Sequence, residues 1–327
     1  MAAPFLSQDE LRAAARTVHA VLPPTPQYRW PLLEALVAPR PDDGTALWVK
    51  HENHTPVGAF KIRGGLVYFE RLLSRGERPA GVVSATRGNH GQSIGFAARR
   101  HGIPALIVVP RGNSREKNAA MRALGVELVE HGDDFQAARE HAQALAAERG
   151  WLMVPSFHRD LVAGVASYAL ELFGAVPDLD TVYVPIGLGS GACGLIAARD
   201  ALGLSTEIVG VVSDGAPAYA LSLACGEAVS HAVTTTLADG MAVRTPDADA
   251  LRLMQAGLAR VVLVSDVQIA DAMRRLYECT HQVAEGAGAA ALAGRIAERT
   301  RLAGRRTAVV LTGGNVDRSV YAEILAQ

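Results

Sequence analysis

Between residues 82 and 149 the chain alternates three short apolar runs with three amphipathic stretches, and that alternation leaves few folds open. The runs at 82–84, 105–109 and 126–129 are valine-, isoleucine- and leucine-rich and too short for helices, so they read as strands. The stretches at 91–101, 114–124 and 134–149 carry helical spacing. Strands separated by whole helices cannot pair as tight hairpins. They run parallel, with the helices packed on the faces of the sheet.

The second half repeats the rhythm. Strands are expected at 181–185, 207–212, 260–264 and 307–311, and helices at 194–202, 216–223, 266–279 and 287–299. Near the start, Ser7 and Glu10 have the spacing of a helix capping box, and an extended proline-rich connector covers 23–26. Composition shifts near 76–80 and 150–155. They divide the chain into a large domain, 1–78 plus 154–327, and a small inserted α/β domain, 79–153. The fold class is α/β, two domains with open, mostly parallel sheets flanked by helices.

A length of 327 residues suits two domains. The 32 Lys+Arg residues against 33 Asp+Glu leave a net charge of −1, which gives no electrostatic reason to expect a nucleic acid or anionic membrane partner. Cys193, Cys225 and Cys279 are odd in number and far apart, so they read as reduced, mostly buried thiols. The N-terminal segment lacks a basic stretch followed by an apolar one, and the uncharged run 182–198 is interrupted by Pro185 and glycines. The expectation is a cytoplasmic protein without a secretory leader or membrane span.

Three glycine-rich turns follow expected strands, where open parallel sheets bind ligands: 84–92, 187–191 and 312–315. Gly187, Leu188, Gly189, Ser190 and Gly191 offer backbone N–H groups at a helix start, which suits a phosphate or serves only as a tight turn. The turn lacks the Lys-Ser/Thr ending of a P-loop and the spacing of a dinucleotide fingerprint. Lys61 is the lone lysine of a small, apolar stretch, Gly58 to Gly65. It is either a desolvated amine available for covalent chemistry or a surface lysine at a helix start. His51, Glu52 and His54 match no metal-ligand spacing, and Asp133-Asp134 reads as a helix cap.

Taken in order, GAFKIRGG, TRGNHGQ, the glycine-rich turn, EGAGA and LTGGN resemble the fold-type II pyridoxal-phosphate enzymes, the tryptophan synthase β-like fold. Within them the chain is similar to the serine/threonine dehydratase and serine racemase branch, over residues from about Lys50 to Asp317. The resemblance implies that Lys61 binds pyridoxal 5′-phosphate covalently and that Phe60 lies beside the cofactor ring. It implies that Asn89 bonds the ring hydroxyl and that Thr86, Gly88, Asn89 and His90 hold the substrate carboxylate. Gly187, Leu188, Gly189, Ser190 and Gly191 match the phosphate loop. Thr312 matches the hydroxyl residue at the pyridine nitrogen, and Gly240 and Glu285 match positions lining the cofactor pocket. A neutral hydroxyl at the ring nitrogen suits β-elimination, in which the carbanion is quenched by loss of the leaving group.

Two departures matter. Arg87 stands where the racemases carry a serine acting as a second base, and a guanidinium stays protonated, so racemisation is disfavoured and a contact with substrate or solvent is expected instead. The positions of the relatives' divalent-cation acids fall on Val212 and Ala218, so no activating metal is expected there, with Asp214 the remaining candidate. The expected activity is dehydration and deamination of L-threonine, L-serine or a bulkier β-hydroxy amino acid, of the phenylserine or 3-hydroxyaspartate type, to a 2-oxo acid and ammonia. β-Replacement and a non-catalytic amino-acid-binding role are the alternatives. The family implies a homodimer, and the short stretch after Asn315 suggests a catabolic form without an allosteric domain.

Overall fold

The computed structural model describes residues 5–327; the first four, part of the segment read for a leader, lie outside the described residues. In chain order the elements are α1 Gln8–His19, β1 Gln27–Arg29, α2 Pro31–Val37, β2 Ala46–His51, α3 Ile62–Ser74, β3 Val82–Ala85, α4 Asn89–Arg100, β4 Ala105–Val109, α5 Arg115–Ala123, β5 Glu127–Glu130, α6 Phe135–Arg149 and β6 Leu152–Met153. There follow α7 Arg159–Ala175, β7 Thr181–Pro185, α8 Ser190–Leu202, β8 Glu207–Ser213, α9 Ala218–Cys225, α10 Ala248–Gly257, β9 Arg260–Val264, α11 Asp266–Thr280, α12 Gly286–Ala297, β10 Arg306–Leu311 and α13 Arg318–Leu325.

The strands form two sheets. A six-stranded sheet has the order β1-β2-β10-β7-β8-β9, with β1 antiparallel and the rest parallel, and a four-stranded parallel sheet has the order β5-β4-β3-β6. Strands β3 and β4 are buried along their whole length, as parallel strands covered on both faces must be. In the small sheet the chain steps outward from β3 to β4 and β5, then returns to β6 on the other side of β3. In the large one it steps from β7 to β8 and β9, then returns to β10 on the other side of β7. Each reversal opens a crevice at the carboxyl ends of the strands. The loops there are 86–90 after β3, 186–189 after β7 and 312–315 after β10.

Two helices that sequence periodicity does not disclose, α3 and α7, pack against each other and carry the centre of the molecule. Helix α7 is buried on nearly every face, from Asp160 to Phe173, which erases the polar stripe that marks a surface helix. Helices α4 and α8 begin earlier than expected, at Asn89 rather than 91 and at Ser190 rather than 194. In both, glycine-rich first turns have low helix propensity but are held by tertiary contacts. Ser7 and Glu10 form the expected capping box, and Asp134 caps α6 through the Ala137 N–H.

One buried ionic cluster ties the core together. Arg63, at the start of α3, donates to Glu52 at 2.7 Å and to Glu171 of α7 at 2.6 Å, and Lys50 reaches Glu171 at 2.6 Å. Burial opposes the charges of Lys50, Arg63 and Glu171. Arg63 and Lys50 nonetheless hold the Glu171 carboxyl down at about 2, and the two glutamates hold Arg63 above the ordinary guanidinium range. The cysteines depart from expectation: Cys193 is buried, but Cys225 is exposed and Cys279 half-buried, all unpaired. No helix among the described residues is long and apolar enough to cross a membrane.

Candidate active site

Lys61 lies at the N-cap of α3, at the end of a tight loop leaving β2. The Thr55 hydroxyl clasps that loop by donating to the Ala59 carbonyl (2.9 Å) and accepting from the Ala59 N–H (3.0 Å). The Phe60 N–H donates to the Thr312 carbonyl at 3.0 Å, and Ala59 pairs with Gly313, so the third glycine turn abuts the lysine segment. From the other side, the Ser93 hydroxyl of α4 donates to the Lys61 carbonyl at 2.6 Å. A Cβ at Gly65 would lie 2.4 Å from that hydroxyl, so only glycine lets the helices meet.

The Lys61 side chain is half-buried and points into a cavity that it shares with Thr86, Arg87, Gly88, Asn89, His90, Lys117, Leu188, Asp239 and Gly240. Its Nζ stands 4.8 Å from the centre of the Phe60 ring. Burial lowers its pKa to about 8, against the opposing pull of Glu285. Capture of pyridoxal phosphate by apoprotein is therefore expected to accelerate as pH rises through about 8. Growth of visible absorbance after mixing reads this. Acceleration only above pH 10 would mean an ordinary, solvated lysine.

The loop after β3 is shaped by its own hydrogen bonds. The Gly88 N–H donates to the Thr86 hydroxyl at 2.8 Å, and Gly88 sits at φ +148°, a conformation that favours glycine. In the first turn of α4 the N–H groups of Asn89, His90 and Gly91 have no carbonyl a turn earlier to bond and stand at the positive end of the helix dipole. His90 is buried and its Nε2 has no partner; burial, then the neighbouring Lys61, depresses its pKa to about 3, so the ring is neutral. Asn89 is gripped on both atoms: its Nδ2 donates to Glu285 at 2.5 Å, and its Oδ1 accepts from Asn315 at 2.9 Å. The Nδ2 group retains a second hydrogen for a ligand.

Glu285 leads to a group of residues missed by sequence reasoning. Lys117 of α5 is buried, 2.6 Å from Asp239 and 2.9 Å from Glu285. Burial pushes the Glu285 carboxyl upward while Lys117 opposes it, and the two acids hold Lys117 protonated despite its burial. Lys117 sits in the sequence Arg-Glu-Lys-Asn, which reads as an exposed helix turn. The one available signal is Met121 four residues on, which marks that helix face as the buried one.

The second glycine turn closes the cavity. Helix α8 starts at Ser190, after Gly189 at φ +102°, and the Tyr219 hydroxyl holds the turn through the Leu188 carbonyl at 3.0 Å. A Cβ at Gly187 would lie 2.4 Å from the Gly240 carbonyl, and one at Gly191 would lie 3.7 Å from the Phe60 ring. Leu188 and Gly240 line the cavity, and Gly187, Gly191, Phe60, Glu285 and Thr312 touch its lining or the lysine segment, whereas Gly189 packs against Ala250 and Met254 and Ser190 is the buried first residue of α8. The turn, a neutral imidazole with an open Nε2, a depressed lysine and a half-satisfied amide fit an anionic, aldehyde-bearing cofactor. Gly187→Ala should lower its affinity about tenfold or more, since the clash is with backbone that cannot rotate away. Titration of apoprotein with the cofactor, with circular dichroism to verify folding, measures this; unchanged affinity would remove the turn from the phosphate site.

Other candidates fall outside the cavity. Glu52 is engaged by Arg63, His51 accepts from the Trp30 indole at 3.1 Å with its pKa lowered by burial to about 4, and Asp214 is exposed. No group of three or more His, Cys, Asp or Glu residues among the described residues is arranged to hold a metal.

Comparisons with known proteins show the family. The family model described as "Pyridoxal-phosphate dependent enzyme" matches residues 23–313. An L-threonine ammonia-lyase of Thermotoga maritima is 34% identical over 283 residues, covering 86% of this chain and 70% of that protein. One of Geobacter sulfurreducens is 37% identical over 275 residues, covering 84% and 68%. Among solved structures, a pyridoxal 5′-phosphate-dependent aspartate racemase superposes with a TM-score of 0.90 at 26% identity over 98% of each chain. With the motifs, the cavity and a model match across most of its length all in accord, this chain belongs to the pyridoxal-phosphate dependent enzyme family.

Proposed function

We propose that this protein is an ammonia-lyase that dehydrates and deaminates a β-hydroxy amino acid such as L-threonine or L-serine to a 2-oxo acid and ammonia. The carrying observation is the position of the depressed Lys61 amine, in one cavity with an anion-receptive helix start and beside a glycine turn. The resemblance to L-threonine ammonia-lyases supports it.

In this reading the amides of Gly187 to Gly191 would hold the cofactor phosphate, Asn89 its ring hydroxyl and Thr312 its ring nitrogen, with Phe60 at its edge and the Lys61 amine as the group that would bind it covalently. Gly240 and Glu285 complete the pocket. The bound cofactor supplies an electron sink for the charge left when the substrate α-proton departs. Thr86, Gly88, Asn89 and His90 hold the substrate α-carboxylate, using the free N–H groups of the α4 first turn. Lys61 would take the substrate α-proton at Nζ. It then delivers a proton to the departing hydroxyl, and the freed enamine hydrolyses to the 2-oxo acid and ammonia. The neutral His90 adds no second positive charge beside Lys61, which preserves that amine's basicity.

A racemase needs a second base on the opposite face. Arg87 occupies the position that the resemblance gives to that base, and a guanidinium does not surrender its proton. We assign residues 79–153 to a small domain carrying the carboxylate loop, and infer a cytoplasmic homodimer, which sedimentation of the purified protein tests. The activity is tested by incubating holoenzyme with a panel of 3-hydroxy amino acids and assaying 2-oxo acid and ammonia. Release from none of them, or thiol-dependent replacement without 2-oxo acid, would overturn the reading.

A further inference from the structure

We propose that Arg87 makes this enzyme selective for a β-hydroxy amino acid bearing a second carboxylate on its side chain, a 3-hydroxyaspartate-type dicarboxylate. This rests on the lyase reading above and names the substrate class of the same site. Arg87 lines both the inner cavity with Lys61 and a cleft of about 860 Å³ that opens from it between α6 and the segment 232–247. Its Nε is buried and has no hydrogen-bond partner, a cost that a native site retains only where something meets it. None of the acids that share the cleft forms an ion pair with Arg87: Asp133 pairs with Arg111 at 3.1 Å, Asp134 with Arg244 at 2.9 Å and Asp239 with Lys117 at 2.6 Å, while Glu140 accepts from Gln136 at 2.9 Å and Asp247 caps α10 by accepting from the Asp249 and Ala250 N–H groups.

The substrate's first carboxylate does not require this arginine. The first-turn N–H groups of α4 and the helix dipole suit it, and the Thr86 hydroxyl, which accepts from the Gly88 N–H, keeps its own hydrogen to donate to it. Arg87 stands two residues before α4, and its guanidinium offers a planar donor fork suited to a second carboxylate. The reaction balances without a further reagent. 3-Hydroxyaspartate loses its α-proton to Lys61 and hydroxide from the β-carbon as water. The enamine then takes up water, releasing oxaloacetate and ammonia.

The test compares holoenzyme with Arg87→Ala and Arg87→Lys on 3-hydroxyaspartate, serine, threonine and phenylserine, and measures binding of succinate and butyrate by calorimetry. The expected result is a wild-type preference for 3-hydroxyaspartate. Arg87→Ala should lower its kcat/KM about 50-fold more than that of serine, with Arg87→Lys intermediate. Tighter binding of succinate than butyrate should vanish in Arg87→Ala. Equal losses on both substrates would place Arg87 on the α-carboxylate and overturn the inference, as would a preference for phenylserine or equal binding of the two acids by wild type. Turnover of serine or threonine under those outcomes leaves the lyase reading intact, whereas no turnover of any substrate sinks that reading instead.

Discussion

Replacing Lys61 with alanine is expected to remove the visible absorbance of the covalently held cofactor and to lower turnover by about 10²–10⁴-fold or more, the range supplied by one positioned proton-transfer group. The size of the effect follows from the surroundings. Burial brings the amine's pKa to about 8, so near neutral pH an appreciable fraction is uncharged, far more than a solvated lysine would supply. No neighbour can substitute: His90 is close, but its pKa near 3 makes it a poor base, and Lys117 is held protonated by Asp239 and Glu285. Folding should survive, because the loop is held through backbone carbonyls and N–H groups that alanine retains. Spectra of the purified variant and steady-state release of 2-oxo acid are the measurements. A variant that stays yellow and active would transfer the chemistry to another amine.

The second large effect is on stability. Arg63→Leu should cost about 3–5 kcal/mol, because Glu52 and part of Glu171 would be left buried with their partner gone. Arg63 and Glu52 are fully buried, and the same guanidinium also donates to the Ser167 hydroxyl at 2.9 Å. The cost should show as a lower denaturant midpoint with an unchanged slope. A change under 1 kcal/mol would mean that the cluster is hydrated. The cluster also sets an acid limit. The Glu171 carboxyl falls from an ordinary 4.5 to about 2, so its contribution to stability is present above pH 4.5 and is lost as pH falls toward 2. Arg63→Leu should flatten that part of the stability–pH curve.

Arg63 and Lys61 are two residues apart in GAFKIRGG and do unrelated work. The helix that begins between them turns one side chain toward the cavity and the other into the core. Sequence pattern alone does not separate these roles. A charged residue in a small, apolar segment is anomalous in either case, and only the identity of the surrounding charges tells a reactive amine from a structural cation.

The alternation of strands and helices, the mostly parallel sheets and the glycine turns at strand ends were legible in the chain itself, because each depends on local period and on residues that alone tolerate a turn. The ordered motifs also singled out Lys61 and Asn89, which line the cavity, and Thr312, whose carbonyl adjoins the lysine segment. The starts of α4 and α8, the all-round burial of α7, the Lys117–Asp239–Glu285 link and the unpartnered Arg87 were decided by tertiary structure. Periodicity reports which face of an element is apolar. Which charges meet when two sheets close on one crevice depends on contacts between residues over a hundred positions apart, and no local period encodes those.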